Sequence, residues 1–477
     1  MSIPKIVLSL FTSLLCGNVA WVAWAGGDGW RGLVYLLLYA LATLPGWPLG
    51  FWLFGRRHAA GWVAGGLFGY GVTAIALWAP MALGVASPLV LLGAWALVCL
   101  ACWLAFARRQ PLVLLEAWTR RDTAALVLVL LVVPLLVGVP FARIGERGDD
   151  GTRHYRAYFT ADFLWHIALT SELTLLQLPP EDPYAAGHQL HYYWTYFLFP
   201  ASVAAGVPAP LAPSIEGILR VNAACAGLLF VGSVFVFTWS VAQKAWSAAT
   251  ATLLAVLAAS AEGSYVLWRL WKTGEPLGAL RDLNIDATTM WFFQGLTVDG
   301  LPRSLWYTPQ HAGACALGLI ALVVLTRTGA YGTLAARLVS GLALGLAVTM
   351  SPFLGGAFSL VYGTAVLMDA LIERRRFLGV VLGHAWAALP VALAVAWVLL
   401  GDVLEGARGA LVLGFVGKAR RAPVVTMLLA LGPLLLPALL GLFAAGGHRR
   451  RTLPALAGIS IGLALFYLVS LAKTDPV

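Results

Sequence analysis

RIGERGDDGTRHYRAYFTADFLWHIALTSELTLLQLPPEDPYAAGHQLHYYWTY, residues 143–196, is the one long polar stretch in a chain otherwise built from apolar runs. It gathers carboxylates from Glu146 to Asp182 and four of the eight histidines, His154, His166, His188 and His191. On either side the sequence returns at once to runs of apolar residues long enough to cross a bilayer. A chain that dissolves in lipid elsewhere keeps its polar chemistry here, so this stretch is the first place to look for a site.

The composition agrees with that reading. The chain is 60% hydrophobic and 11% charged, with a mean hydropathy of +0.85. Candidate spans fall at 4–25, 31–54, 61–82, 87–106, 123–141, 215–242, 246–268, 311–328, 333–350, 353–372, 377–400, 423–444 and 453–472. The first lacks a small-residue cleavage site and a second span follows it directly, so it reads as a retained helix rather than a signal peptide. All five cysteines lie inside apolar runs. Cys99 and Cys102 form a CxxC with no polar companion, which reads as packing rather than redox or metal chemistry. The net charge of +10 would suggest nucleic acid in a soluble protein, but here it sits in short turns and reads as topology, with no nucleic-acid partner.

Those turns set orientation. Arg56-Arg57, Arg108-Arg109, Arg120-Arg121, Lys244, Arg327 with Arg337, Arg374 to Arg376, and Arg449 to Arg451 share one side only if the N-terminus is cytoplasmic and residues 191–206 do not cross. Acidic residues, which that rule does not use, then fall outside in seventeen of twenty-one cases, all but Glu116, Asp122, Asp369 and Glu373. The expectation is an all-α polytopic membrane protein of about thirteen transmembrane helices. Its long outer loops are 142–214, 269–310 and 401–422. In the first, ADFLWHIALTSELTLLQL (161–178) reads as an interfacial helix with Phe163, Leu164, Ile167, Ala168 and Leu175 as apolar rows, ended by Pro179-Pro180. HYYWTYFLFPASVAAG (191–206) reads as a second, aromatic-rich helix on the membrane surface.

Several groups could carry chemistry. Asp149-Asp150 could serve as a general base or a metal ligand, or simply as a solvated GDDG turn. Asp162 and His166, at i and i+4, share a helix face and suit a carboxylate-oriented imidazole or two ligands of one divalent cation. Glu172 lies roughly 80° off that face. His191, Tyr192 and Tyr193 could contact substrate, although an aromatic belt explains the tyrosines equally well. Arg281 and Arg303 in the loop 269–310 could bind a phosphate. Gln310 and His311 stand at the mouth of the next span. Arg220 could also take a phosphate, but Glu216 at i−4 competes for it. Phosphate-loop, HExxH and GxSxG signatures are absent from the sequence, as are paired broken helices of the transporter kind.

A span, a large acidic outer loop, two surface helices and a further span, here 123–141, Asp149-Asp150, 161–178 with 191–206, and 215–242, together resemble the C-type glycosyltransferase superfamily (GT-C fold). These are integral membrane enzymes that use polyprenyl-phosphate-linked sugars. The resemblance covers roughly 123–472. It divides the chain into a GT-C-like module at 123–477 and an N-terminal four-helix addition at 1–122. It implies a multi-pass protein of a bacterial inner membrane with its active site on the periplasmic side. There it would transfer a sugar from a lipid-linked donor to a hydroxyl of a glycan, lipid or protein acceptor. It implies Asp149, Asp150 or Asp162 as the base, and a divalent metal, Mg or Mn, on Asp150, Asp162 and His166. A transporter or flippase of lipid-linked glycans, an O-antigen polymerase or ligase, and an acyltransferase are the competing readings. The first predicts polar residues inside spans, and the last predicts a histidine deep in the bilayer.

Overall fold

Hydrocarbon offers backbone N–H and C=O groups no partner, so apolar runs of this length must satisfy themselves as helices. The structure, a computed structural model, describes the whole chain except residues 1–4, 107, 142–143, 156–161, 259, 277, 280–300, 329–332, 405–410, 415–421, 445–448 and 472–477. Among the described residues, nine helices are long and apolar enough to cross a membrane: Lys5–Gly26, Trp30–Phe54, Ala59–Ala82, Pro88–Phe106, Arg120–Gly138, Ile215–Ala242, Pro309–Thr328, Pro352–Ile372 and Phe377–Leu400. The protein is a helical, polytopic membrane protein.

The other four expected spans are shorter or divided. Ala245–Leu257 has 13 residues, Leu334–Met350 has 17, and Thr452–Leu468 is likewise a shorter apolar helix. The run 423–444 divides at the Gly432–Leu434 turn into helices of 9 and 10 residues, because Pro433 cannot donate into a continuous helical ladder. Among the described residues there are three two-stranded antiparallel pairs, two of them hairpins within 142–214 and the third joining Leu411–Leu413 to Val469–Leu471.

Side-chain contacts at the helix ends divide the bundle into two faces. Arg327 donates to the Ser240 carbonyl at 2.6 Å and pairs with Glu116 at 2.7 Å. Trp239 Nε1 donates to Asp122 at 2.8 Å. The last turns of Ile215–Ala242 and Pro309–Thr328 therefore lie beside the first turn of the helix Arg120–Leu130, with the basic turns around them. At the other end of the same helices, Arg220 donates to the Ile144 carbonyl and the Ser214 N–H to Asp28 at 2.7 Å. Loops 27–29, 144–155 and 207–214 thus share the face opposite the basic one.

One apolar core runs from Ala23 in the first helix to Ala457 in the last, so the helices of residues 1–122 and those of 123–477 bury the same interior. Thr43–Gly46 and Ala59–Ala82 approach each other closely. A Cβ on Gly69 would stand 2.0 Å from the Thr43 carbonyl oxygen, and one on Gly46 would stand 2.1 Å from the Gly69 nitrogen. The small-residue spacing Gly65/Gly69 serves packing within the chain.

The two loop helices differ from expectation. The first runs Asp162–Leu173 and ends six residues before Pro179. Its buried face carries Phe163, His166, Leu169, Thr170 and Leu173, whereas Leu175 is exposed. The register is set by His166 pointing inward, not by the apolar row through Leu164 and Ala168. In the second, a turn at Thr195–Phe197 leads into the helix Leu198–Gly206 of 9 residues. At about 14 Å it is too short to cross. It does not lie on a surface either, because Tyr196, Phe197, Leu198 and Ala201 are buried. Tyr70, midway along Ala59–Ala82, donates to the Tyr196 carbonyl at 2.6 Å. Asn222 Nδ2 donates to the Tyr70 hydroxyl at 3.1 Å, and Tyr35 donates to Asn222 Oδ1 at 2.7 Å. Non-helical backbone at this depth survives because protein groups supply its hydrogen bonds. The segment dips into the bundle and returns.

Candidate functional site

Glu146-Arg147 pairs with Arg153-His154 in an antiparallel hairpin whose tip is Asp149-Asp150-Gly151. Asp150 Oδ1 accepts from the Thr152 N–H at 3.0 Å and the Thr152 hydroxyl at 2.6 Å. These bonds, the side-chain one foremost, hold its carboxyl below the usual carboxylate range. Both aspartates are exposed. Asp150 spends its charge on closing a turn, which is the solvated GDDG geometry left open by the sequence.

One helix later, Asp162 occupies the first turn of Asp162–Leu173 and His166 follows on its buried side, 3% exposed. His166 Nε2 lies 3.2 Å from the Tyr192 hydroxyl and 3.3 Å from Gln310 Nε2, and Gln310 Nε2 is 3.2 Å from the same hydroxyl. The two faces of this triangle come from a loop helix and from the first turn of Pro309–Thr328, residues 144 apart. Gln310 is fully buried. One end of its amide serves Tyr192 and His166, while the other end has no partner. Which end is oxygen is fixed by the network rather than seen. Either way one buried polar atom of this side chain is left without a partner, a feature of sites more than of scaffolds.

A second pair stands against the first. The rings of Tyr192 and Tyr193 stack at 4.2 Å and 22°. The Tyr193 hydroxyl lies 3.2 Å from His311 Nε2, whose Nδ1 is 2.8 Å from the Ser351 hydroxyl. Ser351 is also the N-cap of Pro352–Ile372, so the capping residue of one span orients the imidazole of another. Burial, with a smaller contribution from His311, pushes the His166 pKa down to about 3, which keeps the ring neutral and able to accept or donate at Nε2. Burial raises both phenols, and the charge of Asp162 raises both further. That charge therefore acts directly on the tyrosine pair. The result is two Tyr–His pairs with a half-buried carboxylate beside them.

The remaining expected residues lie elsewhere. His191 Nδ1 is 2.8 Å from the Asp402 carbonyl oxygen, and Gln189 donates to the Gly401 carbonyl at 3.0 Å, so this part of the loop is strapped to the end of Phe377–Leu400. Arg220 and Arg153 both bind Glu216, which is 6% exposed, with the Tyr155 hydroxyl 3.4 Å from the same carboxylate. The i−4 competition settles in favour of the ion pair, and Arg220 is not part of the His166 cluster. Gly145 adopts φ +68, and a Cβ there would meet Glu216 Oε1 at 2.1 Å, so only glycine lets the hairpin seat over that carboxylate. Arg281 lies outside the described residues, as does the side chain of Arg303.

Among the described residues no group of three or more His, Cys, Asp or Glu could hold a metal ion. His166 Nε2 lies within hydrogen-bond distance of Tyr192 and Gln310, Asp150 closes the hairpin turn, and Asp162 opens the helix that carries His166. Sequence reasoning missed Ser351, since a serine before proline reads as a cap alone. It also passed over Asp28 in the short loop after the first span and Arg31 in the first turn of the next helix, where a length-based reading expects nothing.

Compared with known proteins, the chain matches no family model, no curated sequence and no solved structure.

Proposed function

We propose that the protein is a membrane glycosyltransferase. It moves a sugar from a polyprenyl-phosphate donor to an acceptor hydroxyl on the extracytoplasmic side of a bacterial inner membrane. The reading rests on thirteen crossings with a cytoplasmic N-terminus. The observation that carries it is the placement of Asp162, one turn before a buried His166–Tyr192–Gln310 cluster that retains an open polar atom. In this scheme Asp162 takes the proton of the acceptor hydroxyl, the freed oxygen attacks the anomeric carbon, and the bond to the lipid phosphate breaks. Arg281 and Arg303 receive the departing phosphate, because Arg220 is already neutralised by Glu216. His166, Tyr192 and Gln310 hydrogen-bond the sugar, with the stacked tyrosines beneath its ring. Asp149 and Asp150 shape the hairpin.

The test is turnover of radiolabelled polyprenyl-phosphate sugars by purified protein in lipid nanodiscs, with and without EDTA. Donor-dependent transfer or hydrolysis is expected, and loss with EDTA would add a divalent metal to the scheme. If every donor stays intact while the protein carries the lipid between leaflets of vesicles, the chain is a transporter and the proposal fails.

A further inference from the structure

A polar cleft of about 690 Å³ opens on the face opposite the basic turns, lined by Asp28, Arg31, Gly145, Arg153, Glu216 and Arg220 among others. Three arginines there meet two carboxylates. Glu216 is shared by Arg153 and Arg220, and Asp28 accepts the Ser214 N–H. Arg31 donates from Nε to the Pro210 carbonyl at 3.2 Å and makes no ion pair among the described residues. The cleft carries surplus positive charge.

Directly below it, an apolar groove of about 260 Å³ runs between Leu38, Leu77, Leu91 and Phe199, and Val207 lines both spaces. Arg31, Leu38 and Ala42, at i, i+7 and i+11, lie on one face of their helix, so the groove sits about 10 to 16 Å deeper than the arginine. Two polar atoms in the wall of this groove, Trp95 Nε1 and the Ser202 hydroxyl, are buried without a hydrogen-bond partner. In hydrocarbon such a donor calls for an acceptor.

A positive cleft and an apolar groove thus follow one another along the face of the helix Trp30–Ala42, and two unpartnered donors from neighbouring helices stand in the groove wall. We infer that they form a site for an anionic glycerophospholipid. Its phosphate sits at Arg31 and the open side of Arg153, its ester carbonyls accept from Trp95 and Ser202, and an acyl chain fills the groove. A polyprenyl tail offers the two donors in the groove wall no acceptor, so they select the diacyl lipid over it. The site shares no residue with the His166 cluster and goes beyond the proposed transfer reaction.

Native mass spectrometry of the purified full chain, titrated with phosphatidylglycerol, phosphatidylethanolamine or polyprenyl phosphate, tests the site without any assay of catalysis. Phosphatidylglycerol is expected to be retained preferentially. Arg31→Gln should reduce that preference about fivefold, the effect of one arginine at a charged lipid surface. Trp95→Phe and Ser202→Ala should each weaken retention of the diacyl lipids while leaving polyprenyl phosphate unaffected. Equal retention of anionic and zwitterionic lipid by wild type overturns the inference, because it describes ordinary solvation by the bilayer. So does preferential retention of polyprenyl phosphate, or wild-type behaviour of both Arg31→Gln and Trp95→Phe.

Discussion

His166 is the residue on which the candidate site turns, and its protonation has a readable consequence. Its folded pKa is about 3 against about 6.5 for a free imidazole. Between those values the unfolded chain binds a proton that the folded chain refuses. Stability is therefore full above pH 6.5 and falls as pH drops toward 3, by up to about 1.4 kcal/mol per pH unit for one proton. Thermal midpoints of wild type should fall between pH 7 and pH 5, and His166→Asn should flatten that slope. An unchanged slope would show that His166 is solvated. The i, i+4 spacing placed Asp162 and His166 one turn apart on a helix, as they stand in Asp162–Leu173. The partners of His166 were not legible in the sequence, because Tyr192 and Gln310 reach it across 26 and 144 residues of chain. No local pattern encodes such closure.

Among elements, the dipping segment 195–206 departs most from a sequence reading. Its aromatic residues suit a membrane surface as well as an interior, and hydrophobicity alone does not separate the two. The decision lies in Tyr70, Asn222 and Tyr35, three polar side chains from three spans that supply the hydrogen bonds the dip requires. Tyr70→Phe leaves the Tyr196 carbonyl without its donor and should cost about 1–3 kcal/mol in detergent unfolding. A cost near zero would mean that water reaches the segment. Gly69→Ala should be destabilising by about 1–3 kcal/mol or more through overpacking, because the Thr43 carbonyl that its methyl would strike is backbone and cannot rotate aside.

At the scale of the whole molecule, charge was the most informative part of the sequence. The basic turns gather on one face and the loops around Asp28, Ile144 and Ser214 on the other, through contacts such as Arg327–Glu116 and Asp28–Ser214. Reporters fused after Asp28 and after Gly206 should read the same side of the membrane; opposite sides would mean that 195–206 crosses. What the sequence overstated was uniformity. Thirteen apolar runs look alike in hydropathy, yet a proline turn at Gly432–Leu434 and the 13-residue helix Ala245–Leu257 set some of them apart from the nine long helices. Among the described candidates, Asp149 and Asp150 sit at the tip of a turn, Arg220 in an ion pair with Glu216, and Asp162 one turn before the buried His166. The most direct test is sugar transfer from a polyprenyl-phosphate donor by Asp162→Asn and Asp150→Asn, compared side by side with wild type. Asp162→Asn should lose about 10²–10⁴-fold in turnover, the contribution of a general base, while Asp150→Asn stays within a few fold of wild type. The reverse order, with Asp150→Asn inactive and Asp162→Asn active, would contradict the assignment of the base to the His166 cluster.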